Sequence, residues 1–526
     1  MAVFNNDNLM TYWSRVGLLV DTCFSNMKRH PIKAFGGIVT MRTSRFTPEP
    51  TPIDPARLGY VFGQIGLYPS SVWYSLYDGG LELPYETWIP ASMFDSNYYA
   101  YHSSIGYSRY ISVTFVKAPL VTEVGSQAFS SCDVSYVSLP KCVSLPSYAF
   151  YLCRSLTYAD FPSCSQIDTL AFANCLSLSY ASFPSCLTVG RYAFGACELL
   201  ESIYLPECRL VSDGAFDHCL AISNVSLPAC ESIYDGAFDY CYKIAAADLP
   251  VCKTVGSDAF RGCASLSTIN MPACTGINYA TFYGCTSLAS ISLPVCSHVE
   301  SVAFKNCFAL SMAYLPLCET VGSSAFHRCR ALTSISLPTC SEVGAGAFQM
   351  CTSLASADLP ACVTLESDAF DGCSALAHVN LPECVTIGTY AFGSCSSLKS
   401  IDLPKCLSIN TEAFGRTGLQ SASLPVCTYI GPAAFQGCAL SEVVIPACSY
   451  IGHWAFRSCH LLISVNLTGV RAVPEISAEA FADTPITGTG LYPASQPGFV
   501  YVPSSLYSEF LSASYWSGMS ECIVAV

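Results

Sequence analysis

From Cys142 to Cys406 a cysteine occupies every eleventh position, 25 in succession without a miss. Phenylalanine keeps half that pace beside them, from Phe172 through Phe194, Phe216 and Phe238 to Phe414, one every 22 residues. A fixed period of this length means one small structural unit copied and stacked, because each copy buries its faces only against its neighbours. The repeat is therefore 22 residues long and carries two cysteines. Phe129 and Phe150 open the series and Phe435 and Phe456 close it, giving 16 marked rungs, with Phe481 as a degenerate further one.

One copy, residues 392–413, shows how such a unit folds. Leu398, Ile401 and Leu403 alternate with Ser400 and Asp402, the pattern of a strand with one buried face. Pro404 ends that strand because it has no N–H to donate. Cys406 and Ile409 then turn back into the interior. In several copies a glycine follows this apolar residue (Gly190, Gly256, Gly322, Gly344, Gly388), which suits a tight turn. An Ala-Phe pair next places a large ring in the core. Parallel stacking of such rungs makes an elongated β-solenoid that grows without a new globular core, so 526 residues need not mean several globular domains.

The pattern L-x-x-I-x-L-P followed by I-G-x-x-A-F-x-x-C-x-S-L, clear in VNLPECVTIGTYAFGSCSSL at residues 379–398, resembles the BspA-like leucine-rich repeats. The resemblance extends over residues 110–526, and the tail from Tyr501 to Val526 looks like the closing segment of that family. It implies a leucine-rich-repeat solenoid of parallel β-rungs joined by short helical or 3-10 turns, with a capped C-terminus. It also implies a non-enzymatic surface or attachment protein. This chain differs from the usual form in a slightly shorter repeat and in P-x-Cys where an apolar residue is commoner.

Composition excludes several classes. A net charge of −14 opposes a nucleic-acid partner. No run of 18 apolar residues exists, so no membrane span is expected. The first residues lack the basic start, continuous apolar stretch and small-residue cleavage site of a secretory signal. The cysteines lack the C-x2-C clustering of zinc ligands, and in-register stacking gives their Cβ vectors a parallel direction that bridges poorly, so neither metal nor systematic disulfides are expected. They read as reduced, buried small hydrophobes. The eight histidines fall on varied repeat positions in no catalytic constellation, and no phosphate loop or other cofactor motif is present.

Function in a solenoid sits on the outward strand positions, repeated along the array. One outward row runs Ser138, Asp160, Ser182, Tyr204 and Ser226, and the row two residues earlier opens with Tyr136, Tyr158 and Tyr180. Tyrosine with short polar groups is the composition of adaptable binding surfaces. Tyr136, Tyr158, Tyr180, Asp160 and Tyr204 are therefore the candidate ligand-binding residues, for a host-cell surface protein or a glycan.

The N-terminal part differs in kind and is read as a small α+β domain. Residues 1–45 form a helix and anchor. Within residues 8–29, Leu9, Trp13, Val16, Val20, Cys23 and Met27 are spaced 4, 3, 4, 3, 4, a heptad-like stripe with Asp7 or Asn8 to cap it and Pro31 beyond its end. Leu9, Trp13, Val16 and Val20 are candidates for oligomerisation or docking, the alternative being that the stripe packs on its own domain. Residues 46–57 carry four prolines and read as a stiff linker. Residues 58–110 read as a β and turn region, 111–470 as the solenoid, with Val121 in a cysteine's place in its first rung, and 471–526 as a degenerate repeat and cap.

This organisation is that of a recognition or attachment protein, with a bacteriophage virion fibre as the first setting. A bacterial or eukaryotic surface adhesin, and a self-assembling structural protein driven by the N-terminus or the solenoid edge, are the alternatives. The corresponding location is a virion or an extracellular surface, and the cytoplasm if neither holds.

Overall fold

A computed structural model describes residues 114–487 and 497–526, together with strand backbone at 34–35, 38–39, 75–77, 80–82 and 88–89. The expected helix at residues 8–29, with Leu9, Trp13, Val16 and Val20, and the proline-rich segment 46–57 lie outside the described residues.

The repeat folds as a stack of parallel β-rungs, as its pattern predicts. Each rung contributes a three-residue strand such as Ser400–Asp402, whose central Ile401 is buried between outward Ser400 and Asp402. These strands pair in register, so Tyr158 lies between Tyr136 and Tyr180 and Ala159 between Val137 and Ala181. The stack begins before the first expected rung: Gly80–Glu82 pairs in parallel with Phe115–Lys117, and an antiparallel hairpin partner, Ser75–Tyr77, precedes it.

A second parallel ladder runs alongside the first. The segment after each P-x-Cys, read from the sequence as a turn, is a two-residue strand, as in Ser408–Ile409, which pairs with Thr386–Ile387 and Tyr429–Ile430. Pairs continue rung by rung from Trp88–Ile89 to Glu475–Ile476. Here the glycine takes a role the sequence did not reveal. Gly190 and Gly388 do not need a positive φ; a Cβ on either would stand 2.6 or 2.5 Å from a backbone carbonyl carbon of the preceding rung. Glycine lets adjacent rungs approach, and the turn lies elsewhere.

That turn forms the third side. In every rung from Phe129 to Phe481 two residues hold positive φ, one just before the Ala-Phe pair and one just before the cysteine position, and only seven of these are glycine. Tyr148 and Leu152 are one such pair; even β-branched Val302 complies. A left-handed residue costs about 1–2 kcal/mol when it carries a Cβ. The stack offsets this with three forward hydrogen bonds per rung: the amides of Tyr148, Phe150 and Leu152 donate to the carbonyls of Thr169, Ala171 and Ala173 at 3.1, 2.7 and 2.9 Å.

The interior is a column of rings and thiols. Seventeen phenylalanines from Phe129 to Phe481 stack face to face with centroids 5.0–5.6 Å apart. Phe161 and Phe183, in place of the strand leucine, pack edge-on against them. The 31 described cysteines are free thiols, and all but Cys522 are buried. They split into two columns with different hydrogen bonds. From Cys153 onward, the thiol after each phenylalanine donates to the phenylalanine carbonyl of the preceding rung, as Cys175 does to Phe150 at 3.1 Å and Cys285 to Phe260 at 3.2 Å. The thiol after each proline donates to the carbonyl two residues on, as Cys142 does to Ser144 at 3.2 Å. Where threonine replaces the first kind, at Thr417 and Thr484, its hydroxyl donates to a phenylalanine carbonyl instead. The position thus selects a compact donor that also packs as a hydrophobe.

We expect a thiol reagent to find few reactive groups in the native protein and nearly all 32 after unfolding without reductant. A denatured, unreduced count far below 32 would show that the chain carries disulfides.

The first ladder, unlike the second, is interrupted. Strand pairing is absent after Ser202–Tyr204, Thr268–Asn270, Met312–Tyr314 and His378–Asn380 among the described residues. The central residue of three of these strands, Ile203, Ile269 and Val379, is only partly buried. The two widest ring separations, Phe260–Phe282 at 5.6 Å and Phe370–Phe392 at 5.5 Å, fall at two of the interruptions. The four openings are three, two and three rungs apart, with longer unbroken runs at both ends of the ladder.

The C-terminal end is closed. Strand Phe499–Val502 continues the first ladder beyond Ser464–Asn466, and Ile523–Ala525 pairs beyond it. Between them Trp516 is fully buried, donates Nε1–H to the Pro474 carbonyl at 2.8 Å, and lies tilted against Phe481 at 6.3 Å with Phe510 edge-on at 5.2 Å. The last ring of the column is therefore sheltered within the fold. Among the described residues no helix is long and apolar enough to cross a membrane.

Candidate recognition face

Alternation within the three-residue strands puts residues i and i+2 on the same outward face. Register then lines them up from rung to rung. Tyr136, Tyr158 and Tyr180 fall in one row, each half-buried. Their rings stack at 5.1 Å with a 4° interplanar angle and at 5.2 Å with 19°. Partial burial, with Asp160 and the two flanking phenols, pushes the Tyr158 hydroxyl above its ordinary pKa of 10.0.

Asp160 lies two residues from Tyr158 on the same face, in the second row between Ser138 and Ser182. Tyr204 follows Ser182 in that second row. It joins no ring stack and stands 54% exposed. The structure therefore brings Tyr136, Tyr158 and Tyr180 together, sets Asp160 beside them, and leaves Tyr204 apart. Further along the row, neighbours satisfy one another: Asn270 Nδ2 donates to Asp248 at 2.7 Å, and Asn380 Nδ2 and Ser336 Oγ donate to Asp358 at 2.8 and 3.1 Å.

One rung was not singled out by its sequence. Phe308, Met312, Tyr314 and Leu317 all point outward, with Met312 56% exposed, while its neighbours present Ser290, Ser292, Ser334 and Ser336 at the strand positions. Arg330 lies 5.3 Å over the Phe308 ring. The signal was available in MAY standing where adjacent copies have SIS. Among the described residues no group of three or more His, Cys, Asp or Glu side chains is placed to hold a metal ion.

A family model of the BspA type leucine rich repeat region matches residues 122–245, 209–329, 253–376, 319–441 and 385–492, most of the chain. The chain belongs to the BspA-type leucine-rich repeat family. Among solved structures, a leucine-rich repeat protein from Bacteroides ovatus is 24% identical, covering 64% of this chain and 87% of that one, with a TM-score of 0.44. A leucine rich cell surface protein from Faecalibacterium prausnitzii is 20% identical, covering 78% and 94%, with a TM-score of 0.31. No curated protein matches. In this BspA-type chain the conspicuous variation among the outward residues is the tyrosine row.

Proposed function

We propose that this protein is a non-enzymatic recognition or attachment protein that binds a host-cell surface protein or glycan through the outward face of its first ladder. The stacked row Tyr136–Tyr158–Tyr180 is the observation that carries this reading. Three register-locked rings present a rigid amphipathic strip, and rigid aromatic area loses little conformational entropy on binding. Asp160 and the serines of the adjacent row supply short polar groups beside it. The exposed Met312, Tyr314, Leu317 and Phe308 give the same face a second, apolar feature whose residue types are those of protein-contact centres.

A triple Tyr136→Ala, Tyr158→Ala, Tyr180→Ala variant is expected to keep its circular dichroism and lose cell or ligand attachment. Attachment equal to wild type by that folded variant would count against the reading. A virion fibre and a cell-surface adhesin are two carriers of the same face. Mass spectrometry of purified virions against cell-surface fractions separates them. Self-assembly through Leu9, Trp13, Val16 and Val20 is the reading of another class, and a monodisperse monomer in sedimentation would exclude it.

A further inference from the structure

The tyrosine stack ends at Tyr180. Register places Ser202 directly after Tyr180, where a fourth ring would continue the column. Register therefore sets an exposed serine, not a ring, beside the face of Tyr180 turned away from Tyr158. On the same rung as Ser202, Leu199 and Tyr204 stand 56% and 54% exposed to either side. Strand pairing is interrupted immediately beyond this rung, and Ile203 beneath is only partly buried. The next rung offers Asn224, exposed and small. Register and exposure thus group an aromatic ring, an apolar and a phenolic side chain, a hydroxyl and an amide along this step of the face.

The chemistry of this step is two-sided. Its ring has a π-face, electron-rich at its centre and suited to C–H groups. Beside it are hydroxyl and amide, each able to donate and accept. A pyranose has the matching surface: one apolar face of C–H bonds and an edge of hydroxyls. Charge narrows the class further, since Glu201 adjoins Ser202 and the chain carries a net −14, which opposes sialylated or sulfated sugars. We infer that the Tyr180–Ser202 step is a binding seat for a neutral pyranose residue, stacked on the face of Tyr180 turned away from Tyr158. This rests on the proposed recognition role of the tyrosine row and names the ligand class for its C-terminal end.

Saturation-transfer NMR on the full chain tests it, using the methyl glycosides of glucose, galactose, mannose and N-acetylglucosamine, with sialyllactose as the anionic arm. At least one neutral glycoside should receive saturation at its ring C–H protons, and sialyllactose should receive less. Ser202→Tyr extends the stack over that face; this variant should keep the fold, melt no lower than wild type, and weaken the glycoside roughly 10-fold or more. Tyr180→Phe keeps the ring and should retain binding, whereas Tyr180→Leu should lose it. The assignment is overturned if no neutral glycoside binds at millimolar concentration, if sialyllactose binds best, or if Ser202→Tyr binds as wild type. Cell attachment reads the parent proposal separately. If the triple alanine variant loses attachment while no glycoside binds, the tyrosine row is a recognition element and only the pyranose is wrong. Attachment unchanged in that variant removes both.

Discussion

Raising the pH from 9 to 11 should unfold the solenoid cooperatively, before many of its buried thiols would ionise in the folded chain. Burial pushes the thiols of Cys142, Cys164, Cys274, Cys318, Cys384 and Cys438 from the ordinary 9.0 up to about 12. A group whose pKa is raised on folding adds stability in full below its unfolded value, and that stability is lost as pH climbs towards the folded value. The window therefore runs from about pH 9 to about pH 12. Within it each such thiol withdraws about 1.4 kcal/mol per pH unit, because the unfolded chain releases a proton that the folded chain holds. These six alone withdraw on the order of 8 kcal/mol per pH unit, against a total stability of about 5–15 kcal/mol for a typical domain. Cys241, Cys263 and Cys285 are fully buried and shift the same way, burial being the main cause. Circular dichroism under reductant, scanned from pH 8 to pH 11.5, checks the expectation. A chain that keeps its native spectrum at pH 11 would show that the thiol columns are not buried as described.

Phe282→Ala should cost about 3–5 kcal/mol and divide the melt into two transitions. Phe282 is fully buried in mid-column, stacked on Phe260 at 5.6 Å and on Phe304 at 5.3 Å. In a solenoid, stability is a sum of rung terms and nearest-neighbour interfaces. Removing one ring therefore weakens two interfaces at once and leaves the N- and C-terminal halves joined by a poorer contact. The site is already the weaker kind, since the first ladder is interrupted between Thr268–Asn270 and Ser290–Ser292. Differential scanning calorimetry should resolve two endotherms where wild type shows fewer. A single transition displaced by less than about 1 kcal/mol would mean that the core couples over longer distances than neighbouring rungs.

Much of this was legible in the chain itself. The alternation around Ile401 announced the strand, Pro404 its end, and the phenylalanine and cysteine periods the stacking. The tyrosines fall in one row because register follows from the period. The second ladder was less legible. Ser408–Ile409 is two residues long, too short for a period-2 signal. The left-handed positions were hidden for another reason. Tyr148, Leu152 and Val302 carry no glycine signature, because hydrogen bonds between rungs, not local preference, hold their backbone.

By itself the sequence determined the architecture. A 22-residue period with buried residues at fixed offsets has one economical solution, a stack of in-register rungs, and belonging to the BspA-type family follows from the same residues. Only the tertiary structure decided what each repeated residue does there. It made the cysteines hydrogen-bond donors as well as fillers, gave Gly190 and Gly388 a packing role, and opened the first ladder at intervals. It also set an exposed serine, not a fourth ring, beside Tyr180. These outcomes depend on the spacing between rungs, about 5 Å set by stacked rings and parallel strands together. That spacing is a property of the stack, and no single copy of the repeat encodes it.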